Sequence, residues 1–300
     1  MPGLARRRAL AAAALALAAP LAGCAGADGD QRQQLAALPQ VELDPALAAR
    51  VPAAVKADGK IVVAVDPAYP PAEFFDGDGR TVVGFDVDLF SAVAAKLGLS
   101  AEYRPARFDS IIAGVGAGRY EAGVSSITVS PARKQQALMV SYFRAGTQWA
   151  VRTGNPTGLD LKNPCGAKVA VQAATVPEGD VVGRSRLCGE AKKPTITVHP
   201  YPSQEEVTEA VVSGKDDALL ADSAITAHAV KRSEGALQLL AGVYNAVPYG
   251  YVVAKTQQPL AEALRDALKA LIAEGTYAEL LTRWGVENGA IKDPAINPNA

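Results

Sequence analysis

Short hydroxyl side chains and an arginine are concentrated in residues 123–133, which read GVSSITVSPAR. The branched apolar residues predict a strand. Ser130 followed by Pro131 predicts the start of a helix, with a hydroxyl at the N-cap and proline at the first helical position. Arg133 then falls in the first helical turn, where a cation opposes the helix dipole unless an anion is held nearby. The stretch predicts a site for a carboxylate or small oxyanion. A capped helix with an exposed arginine is the plain alternative.

The folded part of the chain alternates predicted strands and helices. Residues 61–65 are a continuous apolar run, typical of a strand buried on both faces. A helix is predicted over residues 85–97, with Asp86 as its cap, and a second unit of the same kind begins near residue 168. This alternation predicts an α/β fold with parallel strands, whose ligands lie at the carboxyl ends of the strands.

Three groups of candidate residues follow predicted strands directly. They are Asp66, Phe108 and the run Ser125 to Thr128. Because carboxyl ends of parallel strands share one edge of a sheet, we expect these groups to lie together.

The composition argues against several other functions. The formal net charge is −1, which gives no basic surplus for nucleic acid. The two histidines, His199 and His228, lie far apart without ligand spacing, so no zinc site is predicted. We expect no metal, no cofactor and no catalytic residue, and we expect a monomer.

The first 23 residues have the composition of an export signal. Arginines at positions 6–8 precede an apolar run over 9–21, shorter than the roughly 20 residues that span a bilayer. The run ends in LAGC at 21–24, and the pattern resembles a bacterial lipoprotein signal. This resemblance implies that Cys24 becomes a lipidated N-terminus, with an ordinary signal peptide and an incidental cysteine as the alternative. Residues 24–52 then predict a flexible tether to the cell membrane.

Two further cysteines, Cys165 and Cys188, flank the first strand and helix of the second unit. In an exported protein such an even pair predicts a disulfide. Two buried thiols are the alternative.

Several motifs in a fixed order resemble the extracytoplasmic solute-binding proteins of ABC importers, in their polar amino-acid family. The motifs are VDPAY at 65–69, GFDVDL at 84–89, FDSII at 108–112, SSIT at 125–128 with Arg133, and DDALLAD at 216–222. The resemblance implies a type II periplasmic-binding-protein fold with two lobes, two chain crossovers and a ligand cleft between the lobes. Lobe 1 would comprise 53–145 and 248–290, lobe 2 would comprise 148–245, and 291–300 would be a loose tail.

The resemblance also implies a role for each of ten ligand-binding residues. Arg133 would pair with the ligand carboxylate, helped by Thr128 and by backbone N–H groups near Thr175. Asp222 would take the α-ammonium group, with Ser126 in support. The remaining residues would surround the ligand side chain: Tyr69 and Phe108 as a sandwich, Asp66 at the far end, and Ser125 and Gln172 nearby.

The expected ligand is a free polar amino acid, delivered to an ABC transporter permease. An acidic Asp66 beside aromatic residues favours a basic side chain, with glutamine next. Gln172 stands where relatives that bind glutamine often have a basic residue, and Pro177 removes one backbone donor near Thr175. An exported cyclohexadienyl-dehydratase-like enzyme on the same fold is the alternative. It would need Asp66 or Glu73 as an acid.

Overall fold

The computed structural model describes residues 39–299. The predicted signal peptide, the predicted lipidation site Cys24 and the first part of the predicted tether lie outside the described residues. Among the helices that are described, none is both long and apolar enough to cross a membrane.

Residues 39–299 form helices and strands in alternation. The strands are β1 Lys60–Val65, β2 Ala68–Tyr69, β3 Glu73–Phe75, β4 Val82–Val83, β5 Ser100–Pro105, β6 Ala122–Gly123, β7 Leu138–Arg152, β8 Lys168–Gln172, β9 Thr197–Tyr201, β10 Ala218–Asp222 and β11 Leu237–Val253. The α-helices are α1 Pro45–Ala49, α2 Ala53–Lys56, α3 Phe85–Lys96, α4 Ile111–Gly116, α5 Pro131–Gln136, α6 Val176–Glu190, α7 Gln204–Val212, α8 Ser223–Arg232, α9 Gln258–Glu274 and α10 Thr276–Trp284. Short 3-10 turns lie at Phe108–Ser110 and Glu287–Gly289.

Eight strands form one sheet in the order β5-β1-β6-β11-β7-β10-β8-β9. The outer strands on each side run parallel, as the alternation predicted. β7 and β11 run antiparallel to each other and to their outer neighbours, so the sheet is mixed rather than parallel. The reason is that the chain leaves one half of the sheet through β7 and returns through β11.

The two long strands join the halves of the sheet. The first part of β7 pairs with the end of β11, as in Phe143↔Tyr249. The second part of β7 pairs with β10 on its other side, as in Ala150↔Leu219. The pairing of β7 with β11 is irregular between Leu240 and Val247, near the predicted crossovers. We call the half around β5, β1 and β6 lobe 1 and the half around β10, β8 and β9 lobe 2; which residues move together stays a prediction.

The cysteine prediction is confirmed, since Cys165 and Cys188 form a disulfide with their Cα atoms 5.6 Å apart. The bond ties the loop before β8 to α6. Cys188 is buried in the apolar cluster of lobe 2, with Trp149 and Val181. Because α6 begins at the cleft, the bond helps to hold one wall of the site.

The predicted tether is wrong for its last residues. Asp44 caps α1 through its side chain, and its backbone N–H donates to the carbonyl of Lys96. Val51 is buried, and Arg50 forms an ion pair with Asp266 on α9. Apolar contact and capping therefore fix residues 44–52 on lobe 1.

The predicted loose tail is also wrong. The N–H of Ser141 donates to the carbonyl of Ala295 at 2.9 Å, and Val140 and Ile296 form a β-bridge. Asn297 makes two bonds to the backbone of Met139, one from its own N–H and one to its side-chain oxygen. The tail satisfies the backbone of β7 along an edge that β10 does not cover.

We expect Asn297→Ala to destabilise the fold, because the buried N–H of Met139 loses its acceptor. An unsatisfied buried donor costs about 1–3 kcal/mol, which lowers Tm by a few degrees in a chain of this size. Thermal unfolding followed by circular dichroism measures the change, with Asn299→Ala at the exposed neighbouring position as the control. Equal Tm values for the two variants would contradict the tail's structural role.

Candidate functional site

All ten residues predicted to bind a ligand surround one pocket between the lobes. About 310 Å³ of space there, open solvent included, is not filled by protein atoms. The lining also includes two residues that the prediction did not assign to ligand binding, Glu73 and Val176.

Strand ends and helix starts place these residues, as the α/β pattern predicts. From lobe 1, Asp66 follows β1 and Ser125 follows β6. From lobe 2, Gln172 ends β8, Thr175 caps α6 and Asp222 ends β10. The pocket therefore has walls from both halves of the sheet.

Arg133 extends from the first turn of α5 into the pocket. Ser130 caps this helix by accepting from the N–H of Arg133, as predicted. The guanidinium donates to the carbonyl of Thr128 at 3.0 Å and to that of Ala174, across the cleft, at 3.4 Å. It also lies 5.3 Å from the ring centre of Phe108.

No carboxylate of the described residues forms an ion pair with Arg133. Burial lowers its pKa, and the charge of Asp222 acts in the opposite direction. A partly buried guanidinium with only carbonyl and ring contacts has donors left for a planar anion. The arrangement suits a ligand carboxylate.

Asp222 lies at the N-cap position of α8 but makes no capping hydrogen bond. Its Oδ2 instead accepts from the hydroxyl of Tyr249 at 2.7 Å and of Tyr69 at 3.0 Å. Burial raises the pKa of Asp222 to about 6, while the two tyrosines and Arg133 lower it. Asp222 is therefore a buried carboxylate at neutral pH without an ion pair from the described residues, and it suits a ligand ammonium group.

Asp66 supplies a second carboxylate on the lobe 1 side. Its Oδ2 accepts from the N–H of Phe108 at 3.1 Å, and its N–H donates to Oγ of Ser125 at 3.1 Å. Burial raises the pKa of Asp66 to about 6; the bond from Phe108 opposes this, and of the nearby charges Asp109 raises the pKa while Arg107 lowers it. Like Asp222, it is ionised at neutral pH and gains from a cation.

Ser125 and Ser126 form a turn whose conformation is stabilised by hydrogen bonds to Asp86. Ser126 has a left-handed backbone with φ of 47°, which is uncommon for a residue with a side chain. Asp86 accepts from its N–H at 2.7 Å and from its hydroxyl at 3.2 Å. The predicted capping role of Asp86 is wrong, because Gly84 occupies the N-cap of α3. Its carboxylate is used to fix the serine turn.

The wall from lobe 2 offers fewer donors. Thr175 caps α6 by accepting from the N–H of Glu178, and its own hydroxyl donates to the carbonyl of Gln172. The amide of Gln172 donates to the carbonyl of Pro202, while its buried Oε1 has no hydrogen-bond partner among the described residues. Gln172 thus presents an acceptor rather than a positive charge.

Sequence reasoning missed the structural roles of Glu73, Asp86 and Tyr249. Tyr249 lies on β11 and reaches Asp222 from a position 27 residues away. The buried-strand pattern around it gave no sign of this contact. Asp86 was visible as a carboxylate inside a predicted helix, which is the one signal that could have marked it.

Known proteins resemble this chain in sequence and structure. Bacterial extracellular solute-binding proteins, family 3, match residues 61–287. The arginine-binding protein ArgT of Corynebacterium glutamicum is 35% identical over 254 residues, covering 84% of this chain and 83% of that protein.

Two solved structures have the same fold. An ancestral arginine-binding protein bound to arginine has a TM-score of 0.69 and 30% identity, covering 75% of this chain and 98% of its own. An ancestral arginine-binding protein bound to glutamine has a TM-score of 0.68 and 29% identity, covering 76% of this chain and 99% of its own. These matches confirm the predicted two-lobe fold.

We expect Tyr249→Phe to raise the pKa of Asp222 above about 6, because the carboxylate loses a hydrogen bond that favours its charged form. Carboxyl carbon NMR titration measures the shift. Tyr251→Phe is the matched control, since the buried hydroxyl of Tyr251 has no hydrogen-bond partner among the described residues. An unchanged titration of Asp222 in Tyr249→Phe would show that this bond does not set its ionisation.

Proposed function

Because this chain belongs to the bacterial extracellular solute-binding proteins of family 3, we propose that it binds an amino acid with a cationic side chain, arginine first. The observation that carries the proposal is the set of buried and partly buried charges around the pocket. Arg133, Asp222 and Asp66 form no ion pair within the described residues.

The charges of the pocket match such a ligand one to one. A basic amino acid carries one carboxylate and two cationic groups. Arg133 would receive the carboxylate, Asp222 the α-ammonium group and Asp66 the side-chain cation. Each buried charge then has a partner, which is the condition under which burial of charge is tolerated. A neutral side chain would leave Asp66 without one.

The relatives support the same ligand class. The relative from C. glutamicum is named an arginine-binding protein, and a structure similar to this chain contains arginine. Another contains glutamine. Glutamine is therefore the second candidate, with a carboxamide in place of the cation beside Asp66.

Transport completes the proposal. The protein would hold its ligand outside the cytoplasm, anchored to the membrane through a lipid on Cys24, and deliver it as a monomer to the permease of an ABC importer. Closure would be a hinge motion where β7 and β11 cross between the lobes. Contacts across the cleft, such as Tyr69 with Asp222, would form on closure.

The dehydratase activity is not part of the proposal. Asp66 and Glu73, the two acids considered for it, have other uses in this pocket. Asp66 matches a ligand cation, and Glu73 bonds with Ser125.

Isothermal titration of the purified protein with arginine, lysine, ornithine, glutamine and glutamate tests the proposal. We expect the basic amino acids to bind most tightly, and saturation at 100 times Kd to add about 2.7 kcal/mol to stability. Arg133→Ala should abolish measurable binding, whereas Arg119→Ala, at an exposed arginine outside the pocket, should not. Unchanged affinity in Arg133→Ala would refute the carboxylate assignment.

Asp66→Asn should change selectivity rather than binding in general. We expect arginine affinity to fall by about tenfold or more, because a charged hydrogen bond is lost, while glutamine affinity changes little. Asp109→Asn is the matched control, since Asp109 is exposed and pairs with Arg107 beside the pocket. Equal losses of affinity for arginine and for glutamine would show that Asp66 does not discriminate between ligands by the charge of their side chains.

A further inference from the structure

Two carboxyl groups are buried together beneath the pocket. Glu73 is 1% exposed and Asp86 is fully buried. Oε1 of Glu73 accepts from the hydroxyl of Ser125 at 3.1 Å. Oε2 of Glu73 and Oδ1 of Asp86 receive no hydrogen bond from the described residues. The N–H of Asp86 donates to the carbonyl of Ala72, the residue before Glu73, at 3.0 Å, which brings the two residues together.

A proton on one of the two carboxyl groups would let that group donate to the other and so give both buried oxygens a partner. Two ionised carboxylates in contact repel each other, and burial removes the water that would screen the repulsion. No Lys, Arg or His within residues 39–299 forms an ion pair with either group. The pair therefore carries one proton and one negative charge, as closely spaced carboxyls do elsewhere.

The hydrogen-bond donors decide which member is charged. Asp86 accepts three hydrogen bonds, two from Ser126 and one from the hydroxyl of Tyr142 at 2.6 Å. Glu73 accepts one, from Ser125. Since donors stabilise the ionised form, Asp86 holds the charge and Glu73 holds the proton. Burial raises the pKa of Glu73 well above its usual range, with the charge of Asp86 adding to the effect, whereas burial raises that of Asp86 to about 6.

The other titratable groups around the pair leave this assignment in place. Asp66, at the end of β1, is a carboxylate, and its charge favours the proton on Glu73. The remaining neighbours are tyrosines, all with a raised pKa and therefore neutral: Tyr69, Tyr103, Tyr142 and Tyr251.

We propose that Glu73 remains a protonated carboxylic acid at neutral pH and acts as a positioning residue for the ligand site. Its proton fixes Asp86, and Asp86 fixes Ser126 in its left-handed conformation. Its carbonyl oxygen fixes Ser125, which in turn receives the N–H of Asp66.

The neutral state of Glu73 also bears on selectivity, an inference that rests on the proposed function. Glu73 lines the pocket, so an ionised Glu73 would add a second negative charge near Asp66. With the proton in place, Asp66 is the one anion of this wall that faces the ligand side chain. The site then selects a side chain with a single positive charge.

Infrared difference spectroscopy at about pH 8, where Asp66 and Asp222 are ionised, detects the proton directly. We expect the carbonyl band of a protonated carboxylic acid in the wild-type protein and its loss in Glu73→Gln. Absence of the band from the wild type, or its persistence in Glu73→Gln, would overturn the proposal. This measurement needs no ligand, so it separates the proton on Glu73 from the proposed function.

Arginine titration of Glu73→Gln and Glu73→Ala tests the positioning role. Glutamine reproduces a neutral acid, since its amide donates to Asp86 and its oxygen accepts from Ser125. We expect Glu73→Gln to retain arginine affinity within about threefold between pH 7 and pH 8, and Glu73→Ala to lose about tenfold or more. A loss in Glu73→Gln as large as that in Asp66→Asn would overturn the proposal, because Glu73 would then act on the ligand as an anion.

Discussion

Burial of charge without an internal counterion is the constraint on which this site depends. Asp222 is buried and Arg133 and Asp66 are partly buried, yet none of them forms an ion pair within the described residues. Carbonyls stabilise the guanidinium, tyrosine hydroxyls stabilise Asp222, and a backbone N–H stabilises Asp66. These partners keep the charges in place but leave them incompletely neutralised. The three side chains can therefore pair with opposite charges on a ligand.

The same constraint explains the carboxyl pair beneath the pocket. At Glu73 and Asp86, which are more deeply buried than Asp66 and form no ion pair within the described residues, a proton supplies the missing compensation. The two kinds of carboxyl have different surroundings. Asp66 and Asp222 line the cleft, whereas Asp86 is enclosed by Ser126 and Tyr142. Asp66 and Asp222 are suited to bind a ligand cation, whereas Asp86 is suited to stabilise the serine turn.

Two strands of the sheet connect the lobes that carry the charged residues of the pocket. β7 and β11 run through both lobes, and the pairing between them is irregular where the lobes meet. Each lobe contributes part of the charge set, with Arg133 and Asp66 on one side and Asp222 on the other. In the proposed binding mode, a ligand that pairs with all three would gain most of its binding free energy only when the lobes are together, which would couple recognition to closure.

The sequence by itself indicated the strand and helix alternation, the capped start of α5 and the disulfide, and its resemblance to a known family indicated ten of the twelve residues that line the pocket. Local rules suffice for the alternation and the cap, since capping and buried-strand patterns depend on neighbouring residues. The ordered motifs carried the rest of that prediction. The tertiary structure alone decided the antiparallel course of β7 and β11, the docking of residues 44–52 and the attachment of the tail through Asn297. It also decided that Asp86 meets Ser126 and Glu73 rather than capping a helix. These outcomes join residues that are distant in sequence, and nothing in the local pattern of either partner specifies the other.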